Sequence, residues 1–508
     1  MLEHRSDQRR SWLCIAYAFP PVNRSGTHRT LAFVRHLHRA GWDATVLTVH
    51  PRDEPTDDSL FSELPDSTSI IRTRWFRPVE RLASLRRFFP ARSGVTLRES
   101  YPKTSPNGQS AIGNWQSTTD WFSRLLQLPD SRIGWVPPAV WAGLRTIRRR
   151  RPHVIYSTSP YASAHLIALT LNRLTHIPWV ADFRDPWCAN PFRDLPYPSL
   201  RRWDARLERL VVRHASHIVC NTPNMAEDFT RRYPYATSRC TTILNGIDAE
   251  RFSTSPLPKG RPPGGTVIEP RRVGRWGEFV MLHSGQFYGP RSPKALFAAL
   301  RRLAADTEKS CAAGRSGSQN PGTRFRLVLL GPELCDDRRL CDLASEAGIV
   351  DYVDIRGPKC HSEALSCMAG ADALVLVGGA GPGGDLQVPN KLFEYLALRR
   401  PILALLAPDS PARSVLREAC ADAIVCGPLD ETGIARAMQE LADPSRKPRP
   451  DAWSGVERFD RSHRAEELLA VFENVLQPRR IAADSGVYNP CKMNGFVARS
   501  RPIVVSGP

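Results

Sequence analysis

The eighteen residues from Val388 to Leu405, VPNKLFEYLALRRPILAL, constrain the fold of this chain more than any other stretch. A short loop, a helix and a buried strand follow one another there, which is the repeating unit of a parallel α/β sheet. Just upstream, Ala373 to Val377 is an apolar run of strand length, and Gly378, Gly379, Gly381, Gly383 and Gly384 leave the following connection almost free of side chains. Backbone amides in such a loop can approach a phosphate or a sugar closely. Lys391 and Glu394 stand three residues apart at the start of the helix, so both emerge on one face at its positive end. One suits a phosphate, the other ribose hydroxyls; a surface ion pair over an ordinary strand-loop-helix is the alternative use of the same two residues.

The same alternation recurs along the chain. Residues 12 to 18 read as a first strand, Phe19 to Gly26 as a turn, 27 to 40 as a helix and 44 to 49 as a second strand, the opening of a doubly wound sheet. Ligands of such sheets sit at the carboxyl ends of the strands, which puts the loop from Pro20 to His28 on a cleft. From about Arg52 to Pro129 the periodicity weakens. Within that stretch, residues 74 to 89 mix arginines and aromatics at near-helical spacing, as in an interfacial helix or one packed on its own domain. Regular structure resumes at 139, and an apolar strand at 178 to 181 feeds a loop that holds Asp182, Arg184 and Asp185 before Pro186-Trp187. The organisation expected is an α/β chain of two doubly wound domains: 1–252, a Pro/Gly/Arg-rich linker at 253–277, 278–477 with a final helix at 461 to 475, and a patternless tail at 478–508 expected to be disordered.

Composition excludes several classes. No apolar run reaches the roughly 18 to 20 residues of a membrane span, and the polar start, MLEHRSDQRRSW, lacks the core of a signal peptide, so a cytoplasmic location is expected. The twelve cysteines form no C-x-x-C pair and no metal-ligand spacing with histidines. The formal charge of +19 rests on 62 arginines against eight lysines, spread over the chain without a compact nucleic-acid signature. No nucleic-acid partner is expected; phosphorylated substrates and peripheral contact with an anionic membrane account for the charge better.

Four further landmarks accompany the Val388–Leu405 unit: FPPVNRSGTHR after the first strand, VADFRDPW in the first domain, ILNGID at its end, and LHSGQFYGPRSPKALFAAL opening the second. In this order, over residues 12 to 475, the chain resembles the family 4 glycosyltransferases of the GT-B fold, in particular the bacterial branch that builds surface polysaccharides and lipopolysaccharide. The resemblance implies two Rossmann-like domains facing across a cleft, the nucleotide sugar on the second and a glycan, lipid-linked or lipopolysaccharide acceptor on the first. It further implies transfer with retention and no divalent metal or other cofactor. Cationic side chains would then neutralise the leaving diphosphate, a role for Arg291, Lys294 and Lys391, with Gly26 and Gly285 passing close to it. Gln286 stands where the family commonly has arginine and Ser292 where it has lysine, which leaves Arg291 as the diphosphate contact. Of the family's two glutamates eight apart, Glu394 matches the one on the ribose; the other position is Leu386, and Asp385 is its neighbour. Gly383 and Gly384 would meet donor oxygens through their backbone. Asp182 and Asp185 flank Arg184, and either carboxylate could orient or deprotonate the acceptor hydroxyl, or form a structural ion pair with the arginine. Two other functions share the architecture: a sugar-nucleotide epimerase and a non-catalytic nucleotide-sugar-binding scaffold.

Overall fold

A computed structural model describes residues 9–51, 54, 56–76, 121–190, 193, 195–248, 270–275, 277–312, 323–379 and 386–477. The linker at 253–269, the glycine loop at 380–385, the stretch 77–120 that holds most of the aromatic–arginine segment, and the tail from 478 lie outside the described residues.

The first lobe runs β1 (Arg10–Ala16), α1 (Ser25–Arg39), β2 (Trp42–Val49), β3 (Ser69–Thr73), α2 (Val136–Arg150), β4 (Val154–Thr158), α3 (Ser163–Thr175), β5 (Trp179–Phe183), α4 (Pro198–His214), β6 (His217–Cys220), α5 (Pro223–Arg232) and β7 (Cys240–Thr242). Among the described residues its sheet has seven strands in the order β3-β2-β1-β4-β5-β6-β7, every neighbouring pair parallel. The order in which the chain adds strands reverses at β1, where β2 lies on one side and β4 on the other. Such a switch point opens a crevice at the carboxyl ends of the two strands.

The strands read as apolar runs because both faces of the sheet are covered. Along β1, Trp12, Cys14 and Ala16 point into one core and Leu13 and Ile15 into the other, all of them buried. Right-handed crossovers put α1 on the first face and α2, α3, α4 and α5 side by side on the second.

The second lobe comprises β8 (Glu278–Ser284), α6 (Lys294–Ala312), β9 (Arg324–Leu330), a small antiparallel ribbon of β10 (Leu334–Cys335) and β11 (Arg338–Arg339), α7 (Leu340–Glu346), β12 (Val353–Ile355), α8 (His361–Ala369), β13 (Ala373–Val377), α9 (Lys391–Leu398), β14 (Ile402–Leu405), α10 (Pro411–Glu418), β15 (Ala423–Cys426) and α11 (Glu431–Ala442). Its sheet, again parallel throughout, has the order β12-β9-β8-β13-β14-β15. Here the switch lies between β8 and β13, so Gly285 and Gly378, which follow those two strands, share one crevice. The two doubly wound lobes match the fold class read from the sequence.

One element departs from the expected division. The final helix, α12 (Arg461–Leu476), packs along α1 on the first lobe, where Leu468 and Phe472 fill the core beneath Trp12 and Trp42. The crossing is fastened at the ILNGID turn: Ile247 N–H donates to Phe459 O at 2.9 Å and Arg461 N–H to Ile247 O at 2.8 Å. Gly246 is needed there, since a Cβ would press on the Phe459 carbonyl. An amphipathic helix in the sequence does not say which sheet its apolar face will meet.

Candidate functional site

At the carboxyl end of β8 the backbone turns through Gly285 with φ +125°, a conformation side chains disfavour. A Cβ there would also collide with the ammonium of Lys391. Lys391, the first residue of α9, thus lies against bare backbone with its Nζ 3.5 Å from His283 Nε2. His283 is buried and donates Nδ1–H to Val375 O at 2.9 Å, which fixes the tautomer and leaves Nε2 as an acceptor facing the lysine. Burial, then the Lys391 charge, holds His283 well below its ordinary pKa. Burial also lowers Lys391 to about 7, with the Arg291 charge adding to the effect and Glu394 opposing it. No carboxylate among the described residues comes within ion-pair distance of this ammonium. An enclosed cation beside a second cation and a neutral imidazole is a site that gains from an anion.

Arg291 sits in the turn before α6 rather than in the helix itself. Its Nη1 donates to Tyr288 OH at 2.6 Å and its guanidinium lies over that ring at 5.3 Å. Its Nη2 donates to Gln387 Oε1 at 3.4 Å, and Gln387 Nε2 in turn donates to Asp185 Oδ1 at 3.2 Å. Gln387 thereby links the cation of the second lobe to a carboxylate of the first. A second contact crosses beside it, from Thr222 Oγ1, the N-cap of α5, to Leu386 O at 2.8 Å.

On the first lobe the loop after β5 carries Arg184 and Asp185. Arg184 is pinned by Ser159, whose Oγ accepts its N–H at 2.8 Å and whose carbonyl accepts Nη1 at 3.3 Å; its own carbonyl accepts Asn221 Nδ2 at 3.2 Å. The guanidinium lies across the first turn of α1, where a Cβ at Gly26 would strike it. Burial draws Arg184 below its usual pKa, with Asp185 opposing. Asp185 is half-buried at the boundary of the lobes.

Asp182 does not share this loop. It belongs to β5 itself, fully buried, and takes bonds from Arg29 Nη2 at 3.0 Å, Arg29 Nε at 3.3 Å, Tyr156 OH at 2.6 Å and Thr158 Oγ1 at 2.8 Å. Burial raises its pKa, yet the Arg29 charge and these bonds outweigh it and hold the carboxyl below its ordinary value. Arg29 continues to Ile243 O, Leu244 O and Asn245 Oδ1, so the network ties α1 to β5 and to the ILNGID turn. Its place as a candidate acid or base is thus corrected: strand alternation turns the side chain into the interior.

Two other candidates stand apart. Lys294 opens α6 with an exposed side chain and does not join Arg291 and Lys391, because the helix points it outward. Glu394 lies one turn along from Lys391 and pairs with His361 Nε2 at 3.1 Å in a small pocket between the lobes, where His361 stacks on His28 at 5.4 Å. Gly383, Gly384 and Asp385 lie outside the described residues. Gln387, Thr222, His361 and Ser159 were missed in the sequence because each is a lone polar residue whose role exists only once distant loops meet.

A model of glycosyltransferase family 4 matches residues 105–251 of this chain. Two curated relatives extend the match: D-inositol 3-phosphate glycosyltransferase of Streptomyces coelicolor, 25% identical over 270 residues, and that of Thermobispora bispora, 24% identical over 292. Over these stretches the chain is similar to glycosyltransferase family 4. These alignments cover 50% and 56% of this chain and 53% and 61% of the relatives, so it spans little more than half the length of the curated relatives it matches. Two solved structures establish the fold: sucrose-phosphate synthase from Thermosynechococcus elongatus (TM-score 0.57, 14% identity, 92% of this chain and 99% of that one) and Anabaena HepE in complex with UDP (TM-score 0.53, 12% identity, 91% and 100%). The chain has the GT-B fold.

Proposed function

We propose that this chain is a retaining glycosyltransferase that moves a sugar from a nucleoside-diphosphate donor to a polysaccharide, lipid-linked or lipopolysaccharide acceptor. The observation that carries the proposal is the enclosed Lys391 ammonium, set against Gly285 at the switch point of the second sheet with Arg291 beside it. Both cations suit a diphosphate, which gains charge as the glycosidic bond breaks. That HepE was solved with UDP, and that the curated relatives are named for transfer to a phosphorylated inositol, supports a nucleotide donor and a polar acceptor.

Under this reading Glu394 leaves His361 to bind the donor ribose, and Asp185, adjacent to Arg184 and bonded to Gln387, receives or orients the acceptor hydroxyl. Charge neutralisation would come from Arg291 and Lys391 without a divalent metal. The chain would work on the cytoplasmic side, brought to a membrane surface when its acceptor is lipid-linked.

Thermal-shift screening against UDP-, GDP-, ADP- and dTDP-sugars, with magnesium and with EDTA, tests the donor class. Stabilisation by one nucleotide class in both conditions is expected. Transfer assays with that donor then separate the roles: Glu394→Ala weakens donor binding, whereas Asp185→Asn leaves it intact and lowers transfer. Stabilisation that requires magnesium would refute metal independence, and donor binding without transfer to any acceptor would leave a non-catalytic scaffold.

A further inference from the structure

On the outer face of the first lobe, α2 and α4 turn an unusual set of side chains to solvent. Trp141 of α2 is 66% exposed, and Trp203 and Leu210 of α4 are 52% and 42% exposed. Each indole carries an arginine from its own helix, Arg145 over Trp141 at 5.7 Å and Arg206 over Trp203 at 5.0 Å. The two helices hold nine arginines, and all nine are exposed.

Neither helix offsets them with an exposed acid. The α2 helix has none, and the two on α4 point inward: Asp204 accepts Trp187 Nε1 at 2.9 Å and pairs with Arg193, while Glu208 accepts Tyr233 OH at 2.7 Å and pairs with Arg232. Helical periodicity has thus sorted these segments into an inward side that uses every carboxylate and an outward side of cations and tryptophan.

Geometry decides the kind of partner. The crossovers that place α2, α3 and α4 on one side of the sheet also make them parallel, so α2 and α4 flank α3 with axes roughly 18 to 20 Å apart. Trp141 and Trp203 are each the sixth residue of their helix, in its second turn. Two exposed indoles on parallel helices of one layer, each with an arginine over it, match an anionic surface with an apolar interior. Tryptophan settles at the headgroup level of a bilayer, and arginine is drawn to anionic lipid.

We propose that the α2–α4 face docks this chain on a membrane surface rich in anionic lipid. The docking face lies behind the sheet whose carboxyl edge carries Arg184 and Asp185, so a seated protein would hold that edge beside the bilayer. The inference does not rest on the transfer reading, because binding to lipid is measured with no donor present.

The experiment is co-sedimentation of the full chain with vesicles of phosphatidylcholine alone or mixed with phosphatidylglycerol, at low and high salt. Binding only to the mixed vesicles, weakened by salt, is expected. Arg206→Glu with Arg209→Glu, and separately Trp141→Ser with Trp203→Ser, should each weaken it at least tenfold with the melting temperature unchanged. Arg302→Glu with Arg436→Glu, an equal charge change on exposed helices of the second lobe, should leave it intact. If a double variant melts early, the single Arg209→Glu replaces it. Native-like binding by the α2–α4 variants, equal binding to neutral vesicles, or tighter binding of this face to duplex nucleic acid than to lipid would each overturn the proposal.

Discussion

Donor capture by this chain should take up a proton at Lys391. With a pKa of about 7 the side chain is about one-tenth protonated at pH 8, and a diphosphate beside it favours the ammonium. Binding at pH 8 therefore consumes about 0.9 proton per site, and about 0.1 at pH 6. Above pH 7 the affinity should fall by about tenfold per pH unit, until the bound-state pKa is reached. A nucleotide sugar is the right probe, since its diphosphate has no proton to exchange near neutrality. Calorimetry in buffers of different ionisation enthalpy reads the uptake directly, and Lys391→Met is the control. The same shift acts on stability. Between about pH 7 and the unfolded value of about 10.5, the unfolded chain holds a proton that the folded chain lacks, so stability from this group rises with pH. A shift of that size corresponds to roughly 5 kcal/mol, mostly the cost of enclosing the charge, and Lys391→Met should recover part of it at pH 6. Donor enthalpies independent of buffer and an affinity flat from pH 7 to 9, in a protein whose Lys391→Met variant no longer binds, would refute the argument.

Three further outcomes follow from the geometry. Gly26→Ala drives the Arg184 guanidinium off the first turn of α1; transfer should fall at least tenfold with the melting temperature nearly unchanged, as steady-state kinetics and a thermal scan will show. Asp182→Asn leaves Arg29 buried beside a neutral amide and should cost about 3 to 5 kcal/mol in urea unfolding. Because Asp182 has a lowered folded pKa, its contribution is present above the unfolded value of about 3.9 and lost as pH falls through the folded one, so the native chain should show an acid-unfolding limb that the variant lacks. Phe472→Ala empties part of the core under Trp12 and Trp42 and should cost about 3 to 5 kcal/mol, registered in unfolding of the first lobe although the residue follows the second in sequence.

What the sequence disclosed, and what it withheld, follows a physical division. Strands flanked by helices on both sides are continuous apolar runs, so β1, β5, β8 and β13 were legible, and with them the two parallel sheets. Lys391 and Glu394 were legible as a pair at a helix start, because that position is fixed locally. Their separation was not, since it depends on the φ of Gly285 and on two histidines, His283 at the end of β8 beside Lys391 and His361 at the start of α8 beside Glu394. Asp182 and Asp185 look equivalent in DFRDPW, yet the strand extends through Phe183 and turns the first into the interior, leaving the second at the boundary. Gln387 carries no local signal at all; its importance lies in what stands at either end of its amide.

The return of α12 to the first lobe has a consequence for how the molecule is made. A ribosome releases α1 long before the helix that covers it, and the whole second lobe is synthesised in between. Until then Trp12, Phe33 and Trp42 face water on a sheet otherwise complete, an exposure that invites chaperones and proteases. A chain cut short anywhere ahead of Arg461 would keep that wound open, so α12 seals the first lobe only after the second has been made.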